Sequence, residues 1–422
     1  MNKSLYVSVL VALAVTQSAF AAGTVMLPEI FVNANGVREM RGATFVSDAV
    51  APTSHFVDIR QLPPLRPWQP GDPVREMPRR YETPVITDPV PVNPVAPGLD
   101  KLAERQRAWN RAHSADFSIT PSAFTTPLLN FEGQGYTSVE PSDVNGDIGP
   151  NHFLESINST TGSLVQIYDK TTGAAVGPAF QMRMLGAATG NCPNGEGDPV
   201  ILFDELANRW ILTEFTPDGA NDLCVYISNG SNPVAATWTR YNFTMPSFPD
   251  YPHYGIWPDA FYVGANESGN AGMRPVYAFD RVKMLAGQAA TFQRLLTPGL
   301  DGFGFQAWQP ADVDGGAAPP PAGAPGIFMR HRDDEAHNPG SNNPTADFLE
   351  YAQLKIDFVT PGNSVLTGPI SIAVTEFDST LNGLTAPGAF AQPNGTTLDP
   401  LRELVMNRLA YRNFGSYEAM VG

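Results

Sequence analysis

Four aspartates stand in proline- or glycine-bounded corners: Asp147 in Asp147-Ile148-Gly149-Pro150, Asp198 in Gly197-Asp198-Pro199, Asp259 in Trp257-Pro258-Asp259, and Asp312 in Pro310-Ala311-Asp312. Each introduces an apolar run, and they recur roughly every 50 to 60 residues, a spacing that fits an array of similar modules. If each precedes the innermost strand of its module, four carboxyls converge on one mouth of a central channel. Clustered carboxyls raise one another's pKa and divide acid and base roles, as in glycoside hydrolysis. The same aspartates also suit a plainer job, accepting backbone N–H bonds at their own corners.

Asp143-x-Asn145-x-Asp147, followed by Asn151, places oxygen ligands at alternating positions of a glycine-containing loop, a pattern that suits Ca²⁺. The bidentate Glu of an EF-hand is missing at the twelfth position, where Leu154 stands, so an Asx-rich turn is the competing reading. Asp312-x-Asp314 is a weaker copy. His331-Arg332-Asp333-Asp334-Glu335-Ala336-His337 holds metal-ligand types, but its Asn-Pro-Gly-Ser neighbour reads as a solvated loop. Tyr251, Tyr254 and Trp257 crowd the third corner, where rings could stack on sugars. No Gly-x-Ser-x-Gly, His-Glu-x-x-His or phosphate loop occurs.

Composition narrows the setting. With Lys+Arg 26 against Asp+Glu 42, the net charge of −16 repels phosphate backbones and argues against nucleic acid. Asn2-Lys3, the apolar run Leu5 to Val15, and Ala19-Phe20-Ala21 read as a signal peptide cut after Ala21. No later segment is long and apolar enough to span a bilayer as a helix. The expectation is an exported chain, periplasmic or extracellular. The chain's two cysteines, Cys192 and Cys224, are then expected to form a disulfide.

The elements that must position these residues are short strands. Gly 38 and Pro 40 suit strands joined by tight turns. Residues 22–119 form a proline-rich N-terminal arm, extended between Leu62 and Pro97, with one helix near 100–112 capped by Asp100. The domain proper runs over 120–422. Its second module shows four strand-like runs: Pro199 to Phe203, Arg209 to Phe215, Leu223 to Ser228 and Trp238 to Phe243. The fold expected is all-β, a β-propeller-like array of four-stranded blades, with a pair of β-sandwiches as the alternative.

Asp143-x-Asn145-Gly146-x-x-Gly149-Pro150-Asn151-His152, Asp250-Tyr251-Pro252 with Trp257-Pro258-Asp259, and Pro310-Ala311-Asp312-x-Asp314-Gly315 resemble a family of large exported bacterial β-propeller-like proteins. That family is mostly without an assigned activity, so the resemblance implies a fold and no catalytic residue. Its pattern usually runs on for one or two further modules. Here the final strand is expected to be left unpaired, or to borrow a partner from Ile30 to Asn33. Two functions compete: a module binding a glycan or an extracellular protein, and a glycosidase or lyase using the four aspartates.

Overall fold

Alternation along Arg209–Phe215 explains the architecture. Trp210 and Leu212 face one layer of core, whereas Ile211 and Phe215 face another. A strand with two apolar faces must lie in a sheet covered on both sides. The computed structural model describes residues 22–77, 128–267, 272–300, 307–315, 318–337, 346–377, 390–391, 397–398, 405 and 407–422. The expected signal peptide, the helix near 100–112 and most of the proline-rich stretch lie outside them.

The fold is all-β. The arm supplies β1 (Gly23–Val25), β2 (Glu29–Val32), β3 (Arg38–Arg41), β4 (Phe45–Ser47), β5 (Thr53–Asp58) and β6 (Arg75–Glu76), the last parallel to β7 (Val139–Glu140). Four sheets follow, each built on four strands consecutive in sequence. The first holds β8 (Asn145–Ile148), β9 (His152–Ser159), β10 (Gly162–Asp169) and β11 (Phe180–Gln181). The second holds β12 (Gly197–Asp204), β13 (Arg209–Phe215), β14 (Asp222–Ser228) and β15 (Ala235–Thr244). The third holds β16 (Pro249–Ile256), β17 (Ala260–Glu267), β18 (Met273–Asp280) and β19 (Phe292–Pro298). The fourth holds β20 (Gln309–Val313), β21 (Gly326–Arg332), β22 (Ala346–Lys355) and β23 (Val365–Thr375). A small pair, β24 (Phe390–Ala391) with β25 (Thr397–Leu398), precedes the hairpin β26 (Leu409–Asn413) and β27 (Glu418–Val421).

Three core layers separate the four sheets. Leu154, Val165 and Ile167 of the first sheet pack on Ile201, Trp210 and Tyr226 of the second. Leu202, Val225 and Phe243 pack on Tyr254, Phe261 and Phe279 of the third. Tyr262 and Val276 pack on Phe328 and Leu354 of the fourth and on Trp308, which precedes β20. Full burial of each such large side chain contributes about 1.5–3 kcal/mol. Sheets stacked in series give three core layers, whereas paired sandwiches would give separate ones.

The opening strands β8, β12, β16 and β20 pack side by side. Asn145 Oδ1 accepts from Ile201 N at 2.7 Å and Asp147 Oδ2 from Phe203 N at 2.7 Å. Equal steps along both strands mean that β8 and β12 run in the same direction. Between β16 and β20, Asp312 Oδ1 accepts from Ile256 N at 2.8 Å. Gly255 permits this approach, because a Cβ there would stand 2.3 Å from Ala311 O.

The arm distributes its strands over three outer edges. β5 pairs with β15, β4 with β19, and β3 with β23. The expected borrowing by Ile30 to Asn33 is corrected: Ile30 lies in β2, which pairs with β3, while β26 lies parallel to β20. Covering an edge strand satisfies its backbone groups and blocks pairing with other chains.

Candidate functional site

The starts of the opening strands β12 and β16 come close to one another. β12 begins with Gly197-Asp198-Pro199 and β16 with Pro249-Asp250-Tyr251-Pro252, and both are bulged there. In each bulge the residue before the proline is left-handed, Asp198 at φ 50° and Tyr251 at φ 51°. Asp143, at φ 43°, turns the chain into β8. Non-glycine residues seldom adopt this backbone, and holding one there costs on the order of 1–3 kcal/mol. Three of them converge here.

Asn158, fully buried in β9, holds the cluster together. Its Nδ2 donates to Asp143 Oδ2 at 2.7 Å and approaches Asp198 Oδ1 at 3.4 Å, while its Oδ1 accepts from Asp198 N at 2.8 Å. Gly197 is required beside it, since a Cβ would fall 2.3 Å from Asn158 Oδ1 at a backbone φ of 130°. The Asp143 and Asp198 carboxyls are hydrogen-bonded to each other. Burial raises the pKa of Asp198 well above the ordinary carboxylate range, and the negative charges of Asp143 and Asp250 raise it further. Burial also raises Asp143, against the pull of its bonds to Asp198 and Asn158. Adjacent like charges cannot both ionise cheaply, so ionising one carboxyl disfavours ionising the other.

Two rings border the pair. Tyr251 is 37% exposed, and its ring lies tilted against that of His253 with centroids 4.7 Å apart. Burial lowers the pKa of His253 to about 4, against the opposing effect of Asn407 and Gln309 beside it, so the imidazole is neutral at physiological pH. Gln309 opens β20 and donates from Nε2 to Asn407 Oδ1 at 3.2 Å. Four opening segments and the stretch before β26 thus contribute to one mouth.

The aspartates expected to converge are divided. Asp198 lies at this mouth. Asp147 and Asp312 lie apart from it, where Arg408 holds both, with Nη2 3.0 Å from Asp147 Oδ2 and Nη1 3.2 Å from Asp312 Oδ2. Asp259 follows its inner strand and accepts from Tyr262 O–H at 3.1 Å. Of the rings expected at a ligand, Tyr251 alone is at the mouth. Tyr254 and Trp257 are corrected to core residues, 4% and 1% exposed, Tyr254 between the second and third sheets and Trp257 against Tyr411.

The oxygens of the expected calcium loop go elsewhere: Asp143 to Asn158, and Asn145 and Asp147 to backbone amides of β12. Asn151 is exposed, and its carbonyl accepts from Lys170 N. Among the described residues, no group of three or more His, Cys, Asp or Glu is placed to hold a metal ion. The run from His331 is not a solvated loop. Asp333, Asp334 and His337 are buried, and His337 Nδ1 accepts from Asp333 N at 2.9 Å. Cys192 and Cys224 form a disulfide that joins the loop before β12 to β14.

No family model and no curated protein matches the chain. Among solved structures it is similar, at 10% identity and a TM-score of 0.30, to the exo-β-1,3-galactanase of Phanerochaete chrysosporium with β-1,3-galactotriose, over 55% of this chain and 60% of that one. It is also similar, at 10% identity and a TM-score of 0.25, to a GH43 β-1,3-galactosidase, over 57% of this chain and 60% of the other. The match therefore spans about three-fifths of each of those proteins. No residue role is carried over from them.

Asp250, Asn158, His253 and Arg408 were not among the candidate site residues read from the sequence. Asp250 had a signal: it belongs to a second Asp/Pro bulge like that of Asp198. Arg408 had none, since it pairs with residues far back along the chain.

Proposed function

We propose that this chain is an exported, propeller-like protein that binds a glycan at the axial mouth. The observation that carries this reading is the exposed Tyr251 ring, held in a left-handed bulge beside paired carboxyls. An aromatic face covers the apolar side of a pyranose, and carboxyl oxygens accept from its hydroxyls. The four serial sheets, with inner strands around one axis, support a propeller-like array in which Arg408 joins the ends of the series. The apolar leader with its small-residue cleavage site and the disulfide support export. Among the described residues, no helix is long and apolar enough to cross a membrane.

Hydrolysis is the second reading, favoured by Asp250 as a third carboxylate acting on Asp198. Asp143 and Asp198 are in hydrogen-bond contact, closer than the roughly 5 Å or more that separates the two carboxyls of a glycosidase. Together they act as one group, and hydrolysis would require Asp250 as the other. A glycan array on wild type and Tyr251→Ala tests binding, with loss in the variant expected. Turnover of an arrayed glycan that vanishes in Asp250→Asn would replace the binding reading with hydrolysis.

A further inference from the structure

Asp259, the corner aspartate that follows β16, lines an open cleft of about 600 Å³ between the third and fourth sheets, a size suited to a small molecule. The third sheet supplies Asp259, just before β17, and Asp280, which closes β18. The fourth supplies Lys355, the last residue of β22, and Phe358 beyond it. Two ties hold these walls together. Tyr262 O–H lies 3.1 Å from Asp259 Oδ1 and 3.4 Å from Leu354 O, and Gln293 Nε2 donates to Asp357 O at 2.7 Å. The first tie sets Asp259 beside the residue that precedes Lys355. The other two carboxylates are committed: Asp280 to Lys283, and Asp357 to the amides of Val359 and Thr360. Lys355 is exposed, and among the described residues no carboxylate pairs with it. Val282 and Val359, 62% and 93% exposed, line the same cleft as Phe358. A carboxyl and an ammonium group thus share one cleft without pairing, among apolar side chains.

We propose that this cleft binds a small zwitterion, an apolar dipeptide with both ends free, its ammonium group on Asp259, its carboxylate on Lys355 and its side chains against Phe358, Val282 and Val359. The site is separate from the mouth and does not depend on the glycan reading. An ammonium group only donates and suits the Asp259 oxygens, whereas a carboxylate only accepts and suits the Lys355 ammonium. Burial raises the pKa of Asp259, and a cation beside it favours the charged form again. A ligand with one charge meets attraction at one end of the cleft and repulsion at the other. A neutral sugar compensates neither charge. Apolar side chains on the ligand remove the Val282 and Val359 surfaces from water.

Isothermal calorimetry with leucyl-leucine, N-acetyl-leucyl-leucine and leucyl-leucinamide, on the full-length protein in about 0.15 M salt, compares one skeleton with both charged ends, without its ammonium group and without its carboxylate. The expected result is at least about tenfold tighter binding of leucyl-leucine than of either blocked form. Lys355→Gln, a change at an exposed side chain, is expected to bring leucyl-leucine and its amide within about twofold while the preference over the acetylated form persists. Asp259→Asn is expected to do the converse, and should that variant not fold, the Lys355 variant and the blocked peptides decide alone. Equal binding of all three peptides by wild type overturns the inference. A preference over the amide that Lys355→Gln leaves unmoved places the binding elsewhere on the protein and also overturns it, as does the lack of any saturable heat with leucyl-leucine up to about 10 mM.

Discussion

Arg408 lies 3.0 Å from Asp147, and this contact joins the hairpin β26–β27 to the first inner strand. The same guanidinium reaches Asp312 of the fourth sheet at 3.2 Å, so one side chain spans the first and last members of the inner series. Burial raises the pKa of both carboxyls, Asp312 to about 7, and the Arg408 charge opposes it.

Removing that cation leaves two carboxyls in a desolvated place. Arg408→Met is expected to lower stability by about 3 kcal/mol, read from urea midpoints. A raised acid contributes stability that is lost as pH rises through its folded pKa, so the deficit should be larger at pH 8 than at pH 5. Adding Asp147→Asn to the variant should recover part of the loss. A deficit under about 0.5 kcal/mol would mean that Arg408 is an ordinary surface contact.

Glu214 is buried between the first and second sheets, accepting from Ser163 N at 3.0 Å, and burial raises its pKa to about 7. Its proton is held in the folded state but lost from the unfolded chain above the ordinary carboxylate range. Stability from this group is therefore present at low pH and falls as pH rises through about 7. Glu214→Gln keeps the acceptor and removes the titration. The difference in unfolding free energy between pH 5 and pH 8 should shrink by about 3 kcal/mol at most. Identical pH profiles for the two proteins would refute the assignment.

Asp198→Asn should be stabilising at pH 8, on the order of 1–2 kcal/mol, while weakening glycan binding. Asn tolerates the left-handed backbone of this position, and it removes the like charge next to Asp143. Since the pKa of Asp198 is raised, the gain should fade at low pH, where wild type keeps both protons. Thermal melting at both pH values checks it, and a destabilised variant at pH 8 would count against repulsion between Asp143 and Asp198.

The Cys192–Cys224 bridge closes a loop with a sequence separation of 32 residues. Replacing both cysteines by serine should cost roughly 3–4 kcal/mol in the chain-entropy account. Denaturant melts of the variant against oxidised wild type measure it. Two alkylatable thiols in the native protein, seen by mass spectrometry, would remove the premise.

Sequence alone determined the local pattern. Apolar runs such as Leu223 to Ser228 and Ala260 to Ala265 declare strands covered on both faces, and they are fully buried in β14 and β17. The corners at Asp147, Asp198 and Asp312 fell in opening strands whereas that at Asp259 fell after one, and the cysteine count pointed to the bridge that formed. These are properties of residues near in sequence, where period and turn chemistry act directly. Tertiary structure decided the rest. Tyr251 and Tyr254 are three residues apart, yet the bulge at the start of β16 leaves one ring at the mouth and sends the other into the core. Asp198 is a corner aspartate like Asp312, but its neighbour is Asp143 while that of Asp312 is Arg408. Which charge meets a carboxyl depends on how separate sheets pack on one another, and that packing is fixed by contacts between strands far apart in the chain.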